Sequence, residues 1–218
     1  MSGRMSGPNL PAVRRCQGDA GSMIVETAVI LPILIIFLCG IIDFGVGFRD
    51  RITIQSSVRT GTRAAASLGR AQDADEFALT TLWASLSSYK FAELDKVIIF
   101  STSNAGTVPA GCLAIATSNT GAGITNSCNV YNKQQAIWAG SASFINDPTS
   151  AATKACSAST GMDRWWCPNI RDNLLTDNAF AGPDYLGMYV EVTYTPLTKL
   201  FRSSIILTDK TVMRIEPG

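Results

Sequence analysis

The sequence predicts an α+β protein: a long N-terminal transmembrane helix that continues into a domain with a small antiparallel β-sheet and a disulfide-containing insert. Three observations predict it. Met23 to Phe48 reads MIVETAVILPILIIFLCGIIDFGVGF, apolar on every side of a helix. Asp50 to Ser67 carries that helix on with arginines on one side. Leu186 to Thr195 alternates cleanly, with Met188, Val190, Val192 and Tyr194 on one face and Tyr189, Glu191, Thr193 and Thr195 on the other.

Composition locates the unusual regions. The 218 residues hold 18 Lys and Arg, 17 Asp and Glu, and no histidine. The balance of +1 argues against a nucleic-acid partner, which calls for a basic excess. Without histidine there is no Ser-His-Asp or Cys-His catalysis and no histidine metal site. Mean hydropathy is +0.17 and the charged fraction is 16%, against ~25% in ordinary soluble domains. The deficit has two sources. Thr27 to Ile42 contains no ionisable acid or base. Ser101 to Met162 is polar but almost neutral, rich in Ser, Thr, Asn, Gly and Ala, with only Lys133, Asp147 and Lys154 as charges.

Residues 1–21 hold Pro8, Pro11, several glycines and the arginines Arg4, Arg14 and Arg15, a leader composition without a core-forming pattern. From Met23 to Phe48 a helix would rise ~39 Å, enough to cross a hydrocarbon core of ~30 Å. Pro32 removes one backbone hydrogen bond in its middle, which membrane helices tolerate. Two acids interrupt the run. Asp43 is expected at the far interface, hydrated. Glu26 lies one turn inside, where an acid costs ~2.5–3.5 kcal/mol at the bilayer centre and signals function. Secretory cleavage after the apolar run does not fit, because the run exceeds an h-region of 7–15 residues. Lipidation at Cys39 does not fit either, since Leu38 stands where a small residue is needed.

Gly21, then Ser22-Met23-Ile24-Val25, then Glu26 at the mouth of an apolar helix resembles the type IV prepilin processing site. The resemblance implies cytoplasmic cleavage by prepilin peptidase after Gly21 and a new N-terminus at Ser22. The freed amine of one subunit would then neutralise Glu26 of its neighbour when helices pack laterally. Arg49, Arg51, Arg59 and Arg63 outnumber the leader's arginines. Large C-terminal domains are translocated largely regardless of charge, so the processing motif decides the topology.

The match extends further. Glu26, Leu31-Pro32, the exit Gly40-Ile-Ile-Asp-Phe-Gly45, and Arg59-x-Gly61-x-Arg63-Ala64-Ala65 resemble the TadE-like minor pseudopilins of tight-adherence (Tad, or Flp) pilus systems. Tyr194-Thr195-Pro196-Leu197 and the ending Met213-Arg-Ile-Glu-Pro217 are similar to that family as well. The metal motif Asp-x-Ser-x-Ser of the related TadG-like proteins is absent from the sequence. The resemblance implies a leader (1–21), a transmembrane helix (22–48) and an exported pilin-like domain (49–218, with an insert at about 103–168). It implies a single-pass protein of the bacterial inner membrane whose C-terminal domain is extracytoplasmic. Its partners would be prepilin peptidase, other pilin and pseudopilin subunits, the inner-membrane assembly machinery and membrane lipid. It implies no enzyme activity and no cofactor.

Within the exported part, Ile52, Val58 and Ala64–Ala66 are expected to face a packing partner, while Arg51, Arg59 and Arg63 face water. Gly69 would end the helix. A second helix reads from Asp73 to Tyr89 with Phe77, Leu82, Trp83 and Leu86 as its apolar face. Strands read at Lys96–Thr102, more weakly at Cys112–Thr117, and at Ser204–Leu207 and Thr211–Ile215 as a strand or a pair. Cys112, Cys128, Cys156 and Cys167 are an even set in an oxidising compartment and read as disulfides. The pairing Cys112–Cys128 and Cys156–Cys167 closes the shortest loops; a four-cysteine zinc site is the alternative, but the spacings lack CxxC. Trp165-Trp166 either packs against a disulfide or offers a surface to a ligand or another subunit. That surface underlies the alternative function, a membrane-anchored adhesin that stays outside any pilus. No catalytic residues and no metal ligands are assigned.

Overall fold

The structure is a computed structural model. It describes residues 20–87, 92–102, 106–118, 121–139, 162–172, 184–199 and 203–216. The chain divides into two compact units, Met1–Ile41 and Ile42–Gly218.

The described part of the first unit is the N-terminal portion of helix α1 (Ala20–Leu68), with Pro32 inside it. Its side chains from Met23 onward are exposed, Phe37 by 68% and Ile24 by 69%. The apolar window of this helix has a mean hydropathy of 2.7 and is 6% buried. One apolar N-terminal helix of this kind fits a single-pass membrane protein.

The second unit is a helix-on-sheet domain. Its described elements are the C-terminal portion of α1, α2 (Ala74–Leu86), β1 (Ala92–Thr102), α3 (Ala110–Ala114), β2 (Ala122–Ile124), β3 (Cys128–Tyr131), α4 (Lys133–Ala139), β4 (Tyr185–Tyr194) and β5 (Ile205–Arg214), with a 3₁₀ turn at Pro168–Ile170. The sheet order is β2-β3-β1-β4-β5, and every pairing is antiparallel.

Beyond residue 49, α1 changes character. Asp50, Ile54, Ser57, Val58, Gly61, Thr62, Ala65 and Ala66 are buried at helical spacing, while Arg51, Arg59 and Arg63 are exposed. Val58, Ala65 and Ala66 face inward as expected, while Ala64 is half-buried. Ile52 does not: it is 51% exposed, because it lies off the stripe that Ile54 and Val58 define. Gly69 adopts φ +57, the left-handed end of the helix. In α2 the buried face is Ala74, Asp75, Ala78, Leu79, Leu82 and Leu86. Phe77 is exposed instead, since it falls on the opposite side of the turn from Leu82 and Leu86.

The sheet is covered on both faces near β1. Val97 and Ile99 join α1, α2 and α4 in the main core, which also takes Leu186, Met188, Val190 and Val192 of β4. Ile98 and Phe100 point the other way, into a second cluster with Val108, Cys112, Cys128 and Val130. A strand buried on both faces reads as a continuous apolar run, which is what Val97 to Phe100 is. Phe100 lies across from Gly187 in the ladder, and a Cβ on that glycine would come within 2.2 Å of the ring. The glycine is the space the ring occupies.

Three local expectations change. Cys112–Thr117 is not a strand: residues 110–114 form the short helix α3, which starts after Pro109 and has Cys112 facing Cys128. The two C-terminal strand segments are one strand, because Thr208, Asp209 and Lys210 stay in register with Glu191, Val190 and Tyr189. The stretch 103–168 is not a simple insertion: it supplies β2, α3, β3 and α4, and β3 is an interior strand between β2 and β1.

Candidate functional site: the N-terminal helix and the contacts that dock it

The backbone of Gly21 and Ser22 lies in the first turn of α1. Glu26 follows one turn later and is exposed. Among the described residues no hydrogen bond or ion pair satisfies it. Its surroundings on the helix are Met23, Ile24, Val25, Val29 and Ile30, all more than half exposed.

At the other end of the apolar run, Asp43 is buried, not hydrated. Its carboxylate accepts the backbone N–H of Thr198 at 3.1 Å and the Thr198 hydroxyl as well. The Tyr194 hydroxyl donates to the Asp43 carbonyl at 3.4 Å. A Cβ on Gly47 would touch the Tyr194 ring at 3.4 Å. The Gly-Ile-Ile-Asp-Phe-Gly exit and the Tyr-Thr-Pro-Leu segment are therefore one contact. The physical reason for hydration was the cost of a bare buried carboxylate; two donors from one loop residue remove that cost.

The remaining motif residues also dock the helix. A Cβ at Gly61 would meet the Met188 sulfur at 3.2 Å and the Ala78 carbonyl at 3.3 Å, so this glycine lets α1 approach both α2 and β4. The Glu216 amide donates to the Ala66 carbonyl at 3.0 Å, satisfying one orphan acceptor at the helix end. Beside it, Ile215 is 1% exposed and plugs the main core. The motifs from Asp43 onward thus correspond to places where α1 meets the sheet, α2 or the C-terminal tail.

The Cys112–Cys128 disulfide is present, with Cα atoms 6.3 Å apart. It ties α3 to β3 under the second face of the sheet. Cys167 is also disulfide-bonded. Cys156 lies outside the described residues, so the Cys156–Cys167 pairing stays an expectation.

Trp165 and Trp166 part company. Trp166 is 3% exposed, and so contributes nothing to a surface. Its backbone N–H donates to Asn129 Oδ1, and its carbonyl accepts from Asn129 Nδ2, both at 2.9 Å. The Arg171 guanidinium lies 4.2 Å from its ring centroid. Trp165 is half-buried under Arg164, 3.7 Å from the ring centroid, and lies over Gly121 and Gly123.

That same region contains a buried ionic cluster. Arg171, fully buried, donates through Nη2 to Asp75 Oδ2 at 2.8 Å. The same carboxylate oxygen accepts from the Tyr131 hydroxyl at 2.8 Å and Asn129 Nδ2 at 2.9 Å. Burial and the Asp75 charge push the Tyr131 phenol well above its usual range, so it stays a donor. Asp163 sits beside the cluster. Burial first, and Asp75 second, raise its carboxyl to about 7. The cluster fastens residues 162–172 to α2 and β3. Asp75 is expected from sequence only as an acid near a helix N-terminus. Arg171, 96 residues away, has no local pattern that predicts it.

A groove of about 500 Å³ runs between the end of α2, the start of β1 and the Thr195–Lys199 loop. Its charged lining includes Glu93 and Lys133, which form an exposed ion pair at 2.6 Å. Neither is arranged against a nucleophile. Among the described residues no group of three acids or cysteines is placed to hold a metal ion.

The family model described as TadE-like protein matches residues 21–63. The match is consistent with a TadE-like protein of Tad pilus systems, a pilus-associated structural family. No curated protein and no solved structure matches the chain.

Proposed function

We propose that this chain is a minor pseudopilin acting in the assembly of a tight-adherence pilus. Prepilin peptidase would cut after Gly21, and the mature chain would begin at Ser22 and pack laterally through its N-terminal helix. One observation carries the reading. Glu26 stands exposed among apolar side chains, with no partner among the described residues, one turn after a glycine at the start of a helix long enough to cross a bilayer. Within a bilayer an acid in that position calls for a cation, and lateral packing would supply one in the amine at a neighbouring subunit's Ser22. The family match over 21–63 supports the same assignment. The partners are then the peptidase, other pilin and pseudopilin subunits, and the inner-membrane assembly machinery.

The helix serves as the assembly element, and the domain serves to present it. Glu26→Ala should leave cleavage after Gly21 intact and sharply reduce piliation, read by electron microscopy of surface pili. Glu26→Asp should recover part of it. Normal piliation with Glu26→Ala would contradict the pairing of Glu26 with a neighbour's amine.

A further inference from the structure

Residue 43 follows directly on the apolar run, and twenty residues from Met23 at 1.5 Å each bring a helix across ~30 Å of hydrocarbon by Ile42. Asp43 thus marks the boundary of the bilayer. The loop after β4 is fixed to this boundary at two levels. Tyr194 packs over Gly47, and Thr198 bonds to Asp43 through its amide and its hydroxyl. From Tyr194 to Thr198 the chain therefore descends along α1 by four helical residues, ~6 Å, toward its apolar end.

The loop does not descend with a polar tip. Leu197 is 56% exposed although it lies between two anchored residues. Phe44, at 78%, and Phe48, at 58%, are the exposed aromatic residues on the adjoining turns of α1. Lys199, with φ +53, in the loop and Arg49 on the adjoining helix add exposed basic groups. Aromatic and aliphatic side chains with a basic fringe, where an apolar helix ends, are the composition of a membrane interface. The carboxylate of Asp43 can lie at that depth because the loop itself supplies its donors.

We propose that the Thr195–Lys199 loop is a second membrane-contacting element, with Leu197 set into the lipid headgroup layer beside Phe44 and Phe48. This rests on α1 crossing the bilayer, as in the reading above. The occupant of the surface is lipid, because the patch continues an apolar segment that itself ends in lipid. Two anchorage points, helix and loop, fix how the domain stands on the membrane, where a single helix would leave it free to rotate. Asp43 and Thr198 are positioning residues: they act on the bilayer only through Leu197.

The test uses the full chain in vesicles of phosphatidylethanolamine and phosphatidylglycerol. An environment-sensitive fluorescent amino acid replaces Leu197, Phe37 or Ile206, one at a time. All three native side chains are exposed, by 56%, 68% and 63%, so the replacements disturb no core. Quenching lipids carry their label either at the headgroup or deep in the acyl chain. Position 197 should shift to the blue and respond to the headgroup quencher. Position 37 should respond to the deep quencher, and position 206 to neither. Deep quenching at 37 with an aqueous spectrum at 197 would overturn the proposal while leaving the membrane span intact. An aqueous spectrum at 37 would overturn both. Quenching at 206 equal to that at 197 would also overturn it, since the domain would then be adhering without using this loop.

Discussion

Asp75 and Glu26 are two acids of this molecule that stand in opposite situations. Asp75, in the domain, is 2% exposed and takes hydrogen bonds from Arg171, Tyr131 and Asn129 of the same chain. Glu26, in the apolar segment, is exposed and has no partner among the described residues. The surroundings differ in the same sense. Isoleucines such as Ile98 and Ile99 are fully buried in the domain, whereas Ile35 and Ile36 of α1 are each 48% exposed. One region closes on itself; the other stays open, and under the proposed function a neighbouring subunit packs there. The Asp75 carboxylate is met by donors of its own chain, whereas the proposed function has Glu26 met by a neighbouring subunit.

The comparison breaks most easily at Arg171. Removing one member of a buried ion pair leaves the other uncompensated, at a cost of about 3–5 kcal/mol. Arg171→Ala should lower the unfolding midpoint of the full chain in detergent markedly, read by near-ultraviolet circular dichroism. Adding Asp75→Asn should recover part of the loss, because the orphaned charge is gone. Little change on Arg171→Ala would mean that the cluster is not what holds residues 162–172.

A second pair of variants separates the two regions by one chemistry. Ile99→Ala removes fully buried side-chain atoms and should cost about 2–5 kcal/mol. Ile35→Ala should change the same unfolding transition by about 0.5 kcal/mol or less, as an exposed position does. Equal effects would show that the apolar segment is part of the domain core.

The smallest effect is a pH dependence. The Asp163 carboxyl is raised from an ordinary 3.8 to about 7, so the folded state holds its proton where the unfolded state has lost it. Stability from this group is full below about pH 4, falls as pH rises toward 7, and is flat above. Asp163→Asn should remove that slope and leave the variant more stable than the wild type at pH 8 by about 1–3 kcal/mol. The difference between the two Tm profiles isolates it from other titrations.

Much of this contrast was legible in sequence because each region has a strong periodic signal. Met23 to Ile42 is apolar on all sides, and Leu186 to Thr195 alternates with the buried set falling on Leu186, Met188, Val190, Val192 and Tyr194 as the ladder requires. The β2–β3 hairpin was not legible. Its strands are three and four residues long, and Cys128-Asn129-Val130-Tyr131 is buried at every position by partners distant in sequence. The helix α4 did carry a usable sign: Asn132 and Gln135 cap each other's backbone amides, at 2.8 and 2.9 Å. Asp43 looked like a hydrated boundary because nothing local shows that Thr198, 155 residues on, supplies two donors. In the docking contacts, glycines at 47 and 61 are legible as required space only once the ring of Tyr194 and the sulfur of Met188 are in place.

The central claim is that the open region is made for assembly after processing. The most direct measurement is the intact mass and N-terminal sequence of the protein purified from cells with and without prepilin peptidase. The account predicts a chain starting at Ser22 when the peptidase is present and a longer one when it is absent. A mature chain starting at Met1 or Met5 in both, or after residue 45, would contradict it.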